Sequence, residues 1–384
     1  MLAKHTVAEV LNLEVLDLKD LANTSWHLRA LHAIRKCRTQ ALGGHLDWCR
    51  TCGKLQLQFN SCRNRHCPTC QGHKQQQWIA ARRQELLPVP YFHVVFTLPD
   101  HLNSIALADA KTLYNILFDS VWQTLCCFAK NPKHLGAKMG MIAVLHTWGQ
   151  NLSLHPHLHC IVPKGGVTKS GYWKKAKGKD HFLFSVKALS KKFRGLFVSK
   201  LRKQLPGIPQ ALYDKLFSKK WVVYAKAPFG KPEHVIEYLG RYTHKIAISN
   251  HRILNIDTTN RTVTFSLKNY RNQGKKTTET LSTQNFIKRF QNHILPKGFT
   301  RIRHYGFLSS SWKKEKLPRL QLQLQLLDKD LETTAVLTHQ ETSLHRRCRH
   351  CKKGILITLL TFDSRGPPFD YKKIATRKIQ KYKN

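Results

Sequence analysis

The apolar and polar positions in the first part of the chain follow helical spacing. Residues 1–35 carry apolar side chains three to four positions apart, which predicts helical structure. A further helix, rich in Gln, Ala and Arg, is predicted over residues 74–87, and Pro88 and Pro90 end it. The first domain boundary is therefore expected after residue 88.

Strand and helix patterns alternate in the middle of the chain. Aromatic and β-branched residues predict a strand from Tyr91 to Leu98. Two more strands, over residues 141–148 and 157–162, are separated by residues 149–153, which have turn chemistry. These two strands should therefore be antiparallel neighbours. The other predicted elements are helices over 101–129, 185–204, roughly 232–244 and 281–292, and strands over 221–227, 246–256 and 262–267.

The pattern changes after Trp312. Leucine and glutamine alternate from Leu320 to Leu326, which is typical of a strand. The last residues, 371–384, carry six Lys or Arg and no acid, as in disordered tails that bind phosphate without sequence preference. We therefore expect three regions: an N-terminal domain (1–88), a second domain (89–310) and a basic, partly disordered C-terminal region (311–384).

The charge of the chain indicates a polyanionic partner. Its 384 residues contain 65 Lys and Arg against 22 Asp and Glu, a formal net charge of +43. A hydrophobic content of 41% is typical of a folded protein. Nucleic acid is the commonest long polyanion, and a generally basic surface, as in some ribosomal or membrane-surface proteins, is the alternative.

The apolar runs of the sequence are short. Charged residues interrupt them near the N-terminus, so no secretory signal pattern is present. No apolar stretch approaches the roughly 20 residues that span a membrane. The protein is therefore expected to be cytoplasmic and nucleoid-associated, with DNA and not a membrane as its partner.

Two close cysteine pairs predict a structural zinc site. Cys49 and Cys52 form one pair, Cys67 and Cys70 the other, and fourteen residues separate them. A two-residue gap lets a tight turn direct both sulfurs at one metal, and disulfides are rare in the cytoplasm. We therefore expect these four cysteines to bind Zn²⁺ together. Ligand exchange or a second site remains open because further candidate ligands lie nearby, namely Cys37, His45, Cys62 and His66.

A third pair, Cys348 and Cys351, cannot fill a zinc site alone. Either nearby histidines complete it, or another segment does, or it binds no metal. Basic residues around the N-terminal cysteines favour contact with DNA, and Arg63 and Arg65 are the candidate DNA-binding residues there.

The sequence His-Pro-His-Leu-His at residues 155–159 predicts a metal site on a strand. Side chains alternate between the faces of a strand, so His157 and His159 share one face. Pro156, which separates His155 from His157, marks a strand start or edge. The position of His155 relative to the shared face therefore stays open. A lone histidine on a strand is more often a core residue, but three in five positions favour metal ligation.

The third metal ligand should come from the preceding strand. If the turn centres near residues 151–152, His146 lies opposite His157, and Gln150 is the alternative ligand. Imidazole ligands favour manganese, cobalt, nickel or zinc over magnesium on softness alone. Because an open coordination position facing phosphate is the functional requirement, we expect Mg²⁺ or Mn²⁺ as the catalytic cation.

Tyr238 and Tyr242 lie four residues apart in a predicted helix, so they share a face. Such pairs often pack a core. Gly240 between them costs about 1 kcal/mol relative to alanine, which indicates that DNA or the neighbouring sheet approaches the backbone closely. Arg241 and Lys245 are candidate phosphate-binding residues. A tyrosine that attacks phosphate retains the bond energy in a phosphotyrosine, so rejoining needs no ATP.

These motifs together resemble the bacterial rolling-circle insertion-sequence transposases of the HUH, two-tyrosine class. The matching stretches lie within residues 37–255 and are "CRTQALGGH", "SCRNRHCPTCQ", "FTLP", "HTWGQNLSLHPHLHCIVPKGG" and "YLGRYTHKIAISNHRI". The resemblance implies an α+β fold: a small helical zinc-binding domain, then a catalytic domain with a central antiparallel sheet flanked by helices. It assigns metal binding to His157 and His159, and the nucleophiles to Tyr238 and Tyr242.

The resemblance also implies a reaction and leaves two competing functions. One tyrosine would cleave single-stranded transposon DNA and the other would accept the second strand, although some relatives use one tyrosine. A rolling-circle replication initiator or relaxase shares this chemistry, but the zinc cluster and "RYTHKIAISN" favour transposition. The other alternative is a catalytically inactive zinc-dependent DNA-binding regulator, against which the intact histidines and tyrosines argue.

Overall fold

A mixed α+β architecture, with antiparallel sheets flanked by helices, confirms the predicted fold class. The computed structural model describes residues 3–14, 18–178, 183–226, 234, 236–238, 240, 246–269, 274–327 and 346–383, without the side chains of 72–74, 269 and 383. None of the described helices combines the length and apolar character of a membrane span.

The elements follow one another in an order close to the predicted one. The helices are α1 (Val7–Leu13), α2 (Leu18–Leu21), α3 (Ser25–Arg35), α4 (Gln71–Arg83), α5 (Asn103–Ala108), α6 (Ala110–Lys130), α7 (Val186–Gln204), α8 (Gln210–Ser218), α9 (residues 234, 236–238 and 240), α10 (Thr283–Gln291), α11 (Ser310–Lys313), α12 (Lys316–Leu327) and α13 (Tyr371–Lys383). The strands are β1 (Gly44–Cys49), β2 (Leu55–Phe59), β3 (Tyr91–Thr97), β4 (Gly140–Trp148), β5 (Leu154–Pro163), β6 (Gly165–Val167), β7 (Trp173–Lys175), β8 (Val223–Lys226), β9 (Ile253–Asp257), β10 (Thr262–Asn269), β11 (Lys275–Ser282), β12 (Ile302–Gly306) and β13 (Leu356–Phe362).

The largest sheet has five antiparallel strands in the order β12-β4-β5-β3-β8. Met141 and Ala143 of β4 face a core that α6 and α7 complete. Ile142 and Val144 face a second core, to which α12 contributes. Because side chains alternate along a strand, the even-numbered residues of β4 continue on the second face, and this is the face on which His146 lies.

The N-terminal helices pack on a second antiparallel sheet, β11-β10-β9. Val10 of α1 and Leu31 of α3 share a core with Phe265 of β10 and Phe286 of α10. These helices share a core with residues from the second half of the chain. The predicted domain boundary at residue 88 stays a prediction.

The two ends of the chain meet in a third sheet, β13-β1-β2. Strand β13 pairs with β1 along its length, from Gly44 opposite Phe362 to Cys49 opposite Leu356. One side of this sheet packs on α13. Residues from the N-terminal and C-terminal regions therefore form one folded unit.

Two predictions for the C-terminal region are wrong. The Leu-Gln alternation lies in helix α12 and not in a strand, because Leu320 and Leu324 are one turn apart and both pack into the second core, while Leu322 is exposed. The basic tail expected to be disordered forms helix α13 at residues 371–383. Its apolar side is covered, since Ala375 packs against the sheet at the ends of the chain.

Candidate active site and cysteine clusters

Three histidines converge on one face of the central sheet. Antiparallel pairing of β4 with β5 puts His146 opposite His157, and His159 follows two residues later on the same face. The candidate ligand atoms of the three rings all lie within 4.8 Å of one another. His155 is 5.1 Å from His157 between ring centroids but is not part of this group. Gln150, the alternative third ligand, lies in the turn beyond the end of β4.

The donor set of this histidine cluster fits a divalent cation. Burial lowers the pKa of His157 to about 4, so its imidazole is neutral near pH ~7. Its Nδ1 is 2.5 Å from the backbone oxygen of His155, which assigns the ring proton to Nδ1 and leaves Nε2 as an electron-pair donor. The Nε2 atoms of His157 and His159 are 3.1 Å apart. Two imidazole nitrogens that face the same space provide the ligand type and spacing that a bound cation requires.

A fourth histidine, His93, supports the cluster and was not predicted. It lies in β3, next to β5, and its Nε2 is 2.9 Å from Nδ1 of His159 in a stacked pair of rings. Burial, with a smaller contribution from the Lys226 ammonium, lowers the pKa of His93 to about 4. When neutral His93 accepts the Nδ1 proton of His159, Nε2 of His159 is left for a cation. The one sequence signal was a histidine among apolar residues of a predicted strand.

Tyr238 lies on the same side of the sheet as the histidine cluster. Its ring meets the His93 ring edge to face, with 5.2 Å between the centroids. The Nζ of Lys226 is 5.4 Å from the centroid of the Tyr238 ring. Ring contacts therefore connect the tyrosine helix α9 to His159 through His93. The other residues predicted here, Arg241, Tyr242 and Lys245, lie outside the described residues.

Gly240 led us to expect that DNA or the neighbouring sheet approaches the backbone of the tyrosine helix closely. In the structure, helix α4 makes this close approach. A Cβ atom on Gly240 would lie 2.4 Å from Cδ1 of Ile79. The side chain of Gln75 donates a hydrogen bond to the backbone oxygen of Gly240 (2.7 Å). One turn away, Arg83 and Glu237 form a half-exposed ion pair at 2.6 Å. Three contacts thus hold the tyrosine helix against α4.

The cysteines form two clusters and not the single site predicted. The first cluster lies between α3 and the start of α4 and consists of Cys37, Cys62, Cys67 and Cys70. The second cluster joins the two ends of the chain and consists of Cys49, Cys52, Cys348 and Cys351. The predicted grouping is wrong because β13, which pairs with β1, brings the C-terminal cysteine pair beside Cys49 and Cys52. Another segment therefore completes the C-terminal pair, as one of the open alternatives had it.

The sulfur spacing in both clusters fits tetrahedral zinc. Two sulfur–sulfur distances in the first cluster are 3.5 and 3.6 Å, and two in the second cluster are both 3.7 Å. Four sulfurs bound to one zinc ion at about 2.3 Å lie about 3.8 Å apart in a tetrahedron, whereas a disulfide requires about 2.0 Å. The thiol sets therefore suit structural zinc.

The two arginines predicted to bind DNA have different surroundings. Arg65 donates to the backbone oxygens of Phe299 (2.5 Å), Pro296 (2.7 Å) and Leu295 (3.3 Å), and burial lowers its pKa. Its guanidinium is bound to three backbone oxygens within the protein, and its contact with DNA stays a prediction. Arg63, by contrast, is exposed and lines a polar groove between the two cysteine clusters.

Comparison with known proteins finds two families and two relatives. The family described as "Putative transposase" matches residues 140–316, and the family described as "Transposase zinc-binding domain" matches residues 14–98. "Putative transposase y4qJ" of Sinorhizobium fredii (strain NBRC 101917 / NGR234) is 42% identical over 366 residues, 88% of this chain and 91% of that protein. "Transposase for insertion sequence element IS801" of Pseudomonas savastanoi pv. phaseolicola is 30% identical over 302 residues, 74% of this chain and 70% of that protein. No solved structure matches the chain.

Proposed function

Since this chain belongs to the family of insertion-sequence transposases that carry a transposase zinc-binding domain and include the IS801 transposase, we propose that it cuts and rejoins single-stranded DNA in rolling-circle-like transposition. The reaction would proceed through a covalent phosphotyrosine. The observation that carries this proposal is the position of Tyr238, which shares one side of the sheet with three converging histidines and contacts them through His93. Its DNA partners would be the single-stranded transposon ends and the target.

Cleavage would begin when a tyrosine oxygen attacks the phosphorus of one phosphodiester. The bond between the tyrosine oxygen and phosphorus forms, and the bond from phosphorus to the leaving strand breaks. The phenol loses its proton, and the leaving strand ends in a hydroxyl group. A hydroxyl of another strand can later attack the same phosphorus and release the tyrosine, because the phosphotyrosine retains the bond energy.

The protein groups around the tyrosine fit this chemistry. His146, His157 and His159 would hold Mg²⁺ or Mn²⁺, which when bound withdraws negative charge from the phosphate oxygens. Lys226, whose Nζ lies beside the Tyr238 ring, would contribute positive charge near a phosphodiester bound at this tyrosine.

We further propose a division of labour within the chain. Residues 89–310 would form the catalytic domain, which contains the histidine cluster and both tyrosines. Residues 1–88 would bind DNA through the zinc-binding region. Tyr238 and Tyr242 would alternate, one cleaving and the other accepting the second strand.

Trapping the covalent adduct tests this mechanism. A labelled single-stranded oligonucleotide that contains a transposon end is incubated with protein and Mn²⁺, and the adduct is mapped by mass spectrometry. We expect the modified peptide to contain Tyr238 or Tyr242. The Y238F/Y242F double variant and H157A should lose the adduct, whereas Y172F, a change at an exposed tyrosine in the turn before β7, should keep it.

DNA binding by the same variants completes the test. We expect it to stay within a few-fold of wild type. DNA binding by the wild type without any cleavage would support the inactive regulator instead. Cleavage that persists in the double variant would refute the tyrosine mechanism.

A further inference from the structure

The second cysteine cluster closes a connection between the two ends of the chain. Cys52 and Cys348 are 296 residues apart in sequence, yet their sulfurs are 3.7 Å apart. Antiparallel pairing of β13 with β1 holds the C-terminal segment on one side of the cluster. Gly354 allows this close approach, because a Cβ there would lie 2.5 Å from Sγ of Cys49. The packing is thus built around the thiols and does not merely bring exposed loops together.

The family match to the zinc-binding domain covers only half of this cluster. That match ends at residue 98, and the transposase match ends at residue 316. Cys348 and Cys351 lie beyond both. A zinc ion with two thiolates is not a closed structural site, which requires four ligands. The C-terminal segment, residues 346–383, is therefore an integral part of the zinc-binding unit.

A groove of about 770 Å³ lies between the two cysteine clusters. Arg38 and Arg63 line it from the side of the first cluster, and three arginines of the C-terminal segment line it from the other side: Arg346, Arg347 and Arg349. All five arginines are exposed. Among the described residues that line the groove, Asp47 carries the one carboxylate. It is buried and accepts hydrogen bonds from Gln58 and Thr358.

The backbone at the two N-terminal arginines is also unusual. Arg38 and Arg63 have φ values of 61° and 52°, in the left-handed region that glycine and asparagine tolerate better. Such a conformation is costly for an arginine, and strained residues concentrate where a side chain has a function. Both guanidinium groups extend from positions next to ligands of the first cluster, Cys37 and Cys62.

Five guanidinium groups around a polar groove match the chemistry of a DNA backbone. Planar guanidinium groups bind phosphate oxygens through paired hydrogen bonds. The hydroxyl and amide side chains that also line the groove are the usual donors to phosphates and sugars: Asn60, Ser61, Thr69 and Gln77.

We propose that zinc in the second cluster clamps the C-terminal segment onto the N-terminal region, and that its arginines thereby complete a groove for the phosphate backbone of DNA. The inference rests on the proposal that DNA is the substrate, but not on the tyrosine chemistry. The groove anchors DNA, and cutting takes place at the histidine cluster.

Zinc content tests the clamp directly. Wild-type protein purified without chelator should contain one zinc ion per chain more than C348S/C351S by elemental analysis. Equal zinc content in the two proteins would overturn the assignment of the second cluster. R346A/R347A/R349A should retain the wild-type zinc content, because it leaves all thiols in place.

DNA affinity tests the groove. Fluorescence anisotropy with a labelled oligonucleotide should show R346A/R347A/R349A binding about tenfold or more weakly at moderate salt, with a log–log salt slope lower by about 2–3. K372A/K373A/R377A removes the same charge from exposed positions of α13 outside the groove and should bind within about threefold of wild type. Equal loss in both variants, or none in the first, would refute the groove.

Cleavage separates this inference from the proposed function. At DNA concentrations below saturation, R346A/R347A/R349A should cut the oligonucleotide more slowly, in proportion to its weaker binding. If R346A/R347A/R349A binds DNA more weakly, as expected, but the wild-type protein never cleaves DNA, the groove proposal stands. In that case only the tyrosine chemistry is refuted. If C348S/C351S fails to fold, R346A/R347A/R349A still tests whether the arginines of the groove bind DNA, and the zinc content of the wild type still tests the second cluster.

Discussion

Replacing Gly240 with alanine tests whether helix α4 sets the position of the tyrosine helix. A Cβ at this position would lie 2.4 Å from Cδ1 and 2.5 Å from Cγ1 of Ile79. That is about 1 Å or more inside the usual carbon–carbon contact of about 3.5–4.0 Å. Overpacking of this kind costs about 1–3 kcal/mol, and the better helix propensity of alanine offsets about 1 kcal/mol of that cost. The net cost to docking the tyrosine helix is therefore up to about 2 kcal/mol.

A cost of that size is large enough to measure as a rate. About 2 kcal/mol corresponds to roughly a 30-fold change in an equilibrium or rate constant. We expect single-turnover cleavage of a saturating single-stranded oligonucleotide to fall by up to about 30-fold in G240A. Zinc content and DNA affinity should not change, because Gly240 is neither a member of the cysteine clusters nor among the residues that line the arginine groove. The matched control is G195A in α7, where a Cβ would meet nothing within 4 Å.

The double variant I79A/G240A decides the cause of any loss. Removing the Ile79 side chain beyond Cβ removes both clashing atoms, so the double variant should cleave as fast as I79A alone. The two changes would then be strongly non-additive, as expected for groups in direct contact. Loss of cleavage in G240A that removal of the Ile79 side chain does not restore would refute the idea that this contact positions the tyrosine.

Three further predictions follow from single features of the structure. His93→Ala should raise the Mn²⁺ concentration needed for half-maximal cleavage by about 10- to 100-fold, because His159 loses its hydrogen-bond partner; an unchanged metal dependence would contradict this role. Burial lowers the pKa of His293 to about 4, below its ordinary value of about 6.5, so the unfolded chain takes up this proton at a higher pH than the folded chain. The free energy of unfolding should therefore fall as the pH drops below ~6.5, by about 2 kcal/mol at pH ~5. Urea unfolding should show a weaker pH dependence in H293N but not in H251N, an exposed-site control. Chelation should unfold residues 37–70 because zinc binding and folding are coupled there, and an unchanged circular dichroism spectrum would count against it.

Local patterns were sufficient to predict much of the candidate site. The alternation of side chains on a strand put His157 and His159 on one face, and the short turn before them put His146 opposite His157, as the strand register has it. A glycine within a helix indicated a close neighbour, and α4 is that neighbour. Each of these inferences depends on residues a few positions apart, whose relative geometry the backbone fixes by itself.

The partners that are distant in sequence were decided by the tertiary structure. The spacing of Cys49, Cys52, Cys67 and Cys70 looked like one zinc site, yet the strand pairing of β1 with β13 divides these cysteines between two clusters. His93 had no motif to identify it, because its role depends on β3 lying next to β5.

The same holds for the C-terminal region. Its Leu-Gln alternation suits a strand face as well as a helix, and only the core against which Leu320 and Leu324 pack selects the helix. Sequence thus determined which chemical groups the protein has and how close neighbours are oriented. Long-range packing decided which groups meet, because a chain can bring together residues some 300 positions apart, such as Cys49 and Cys351, without any local pattern that records it.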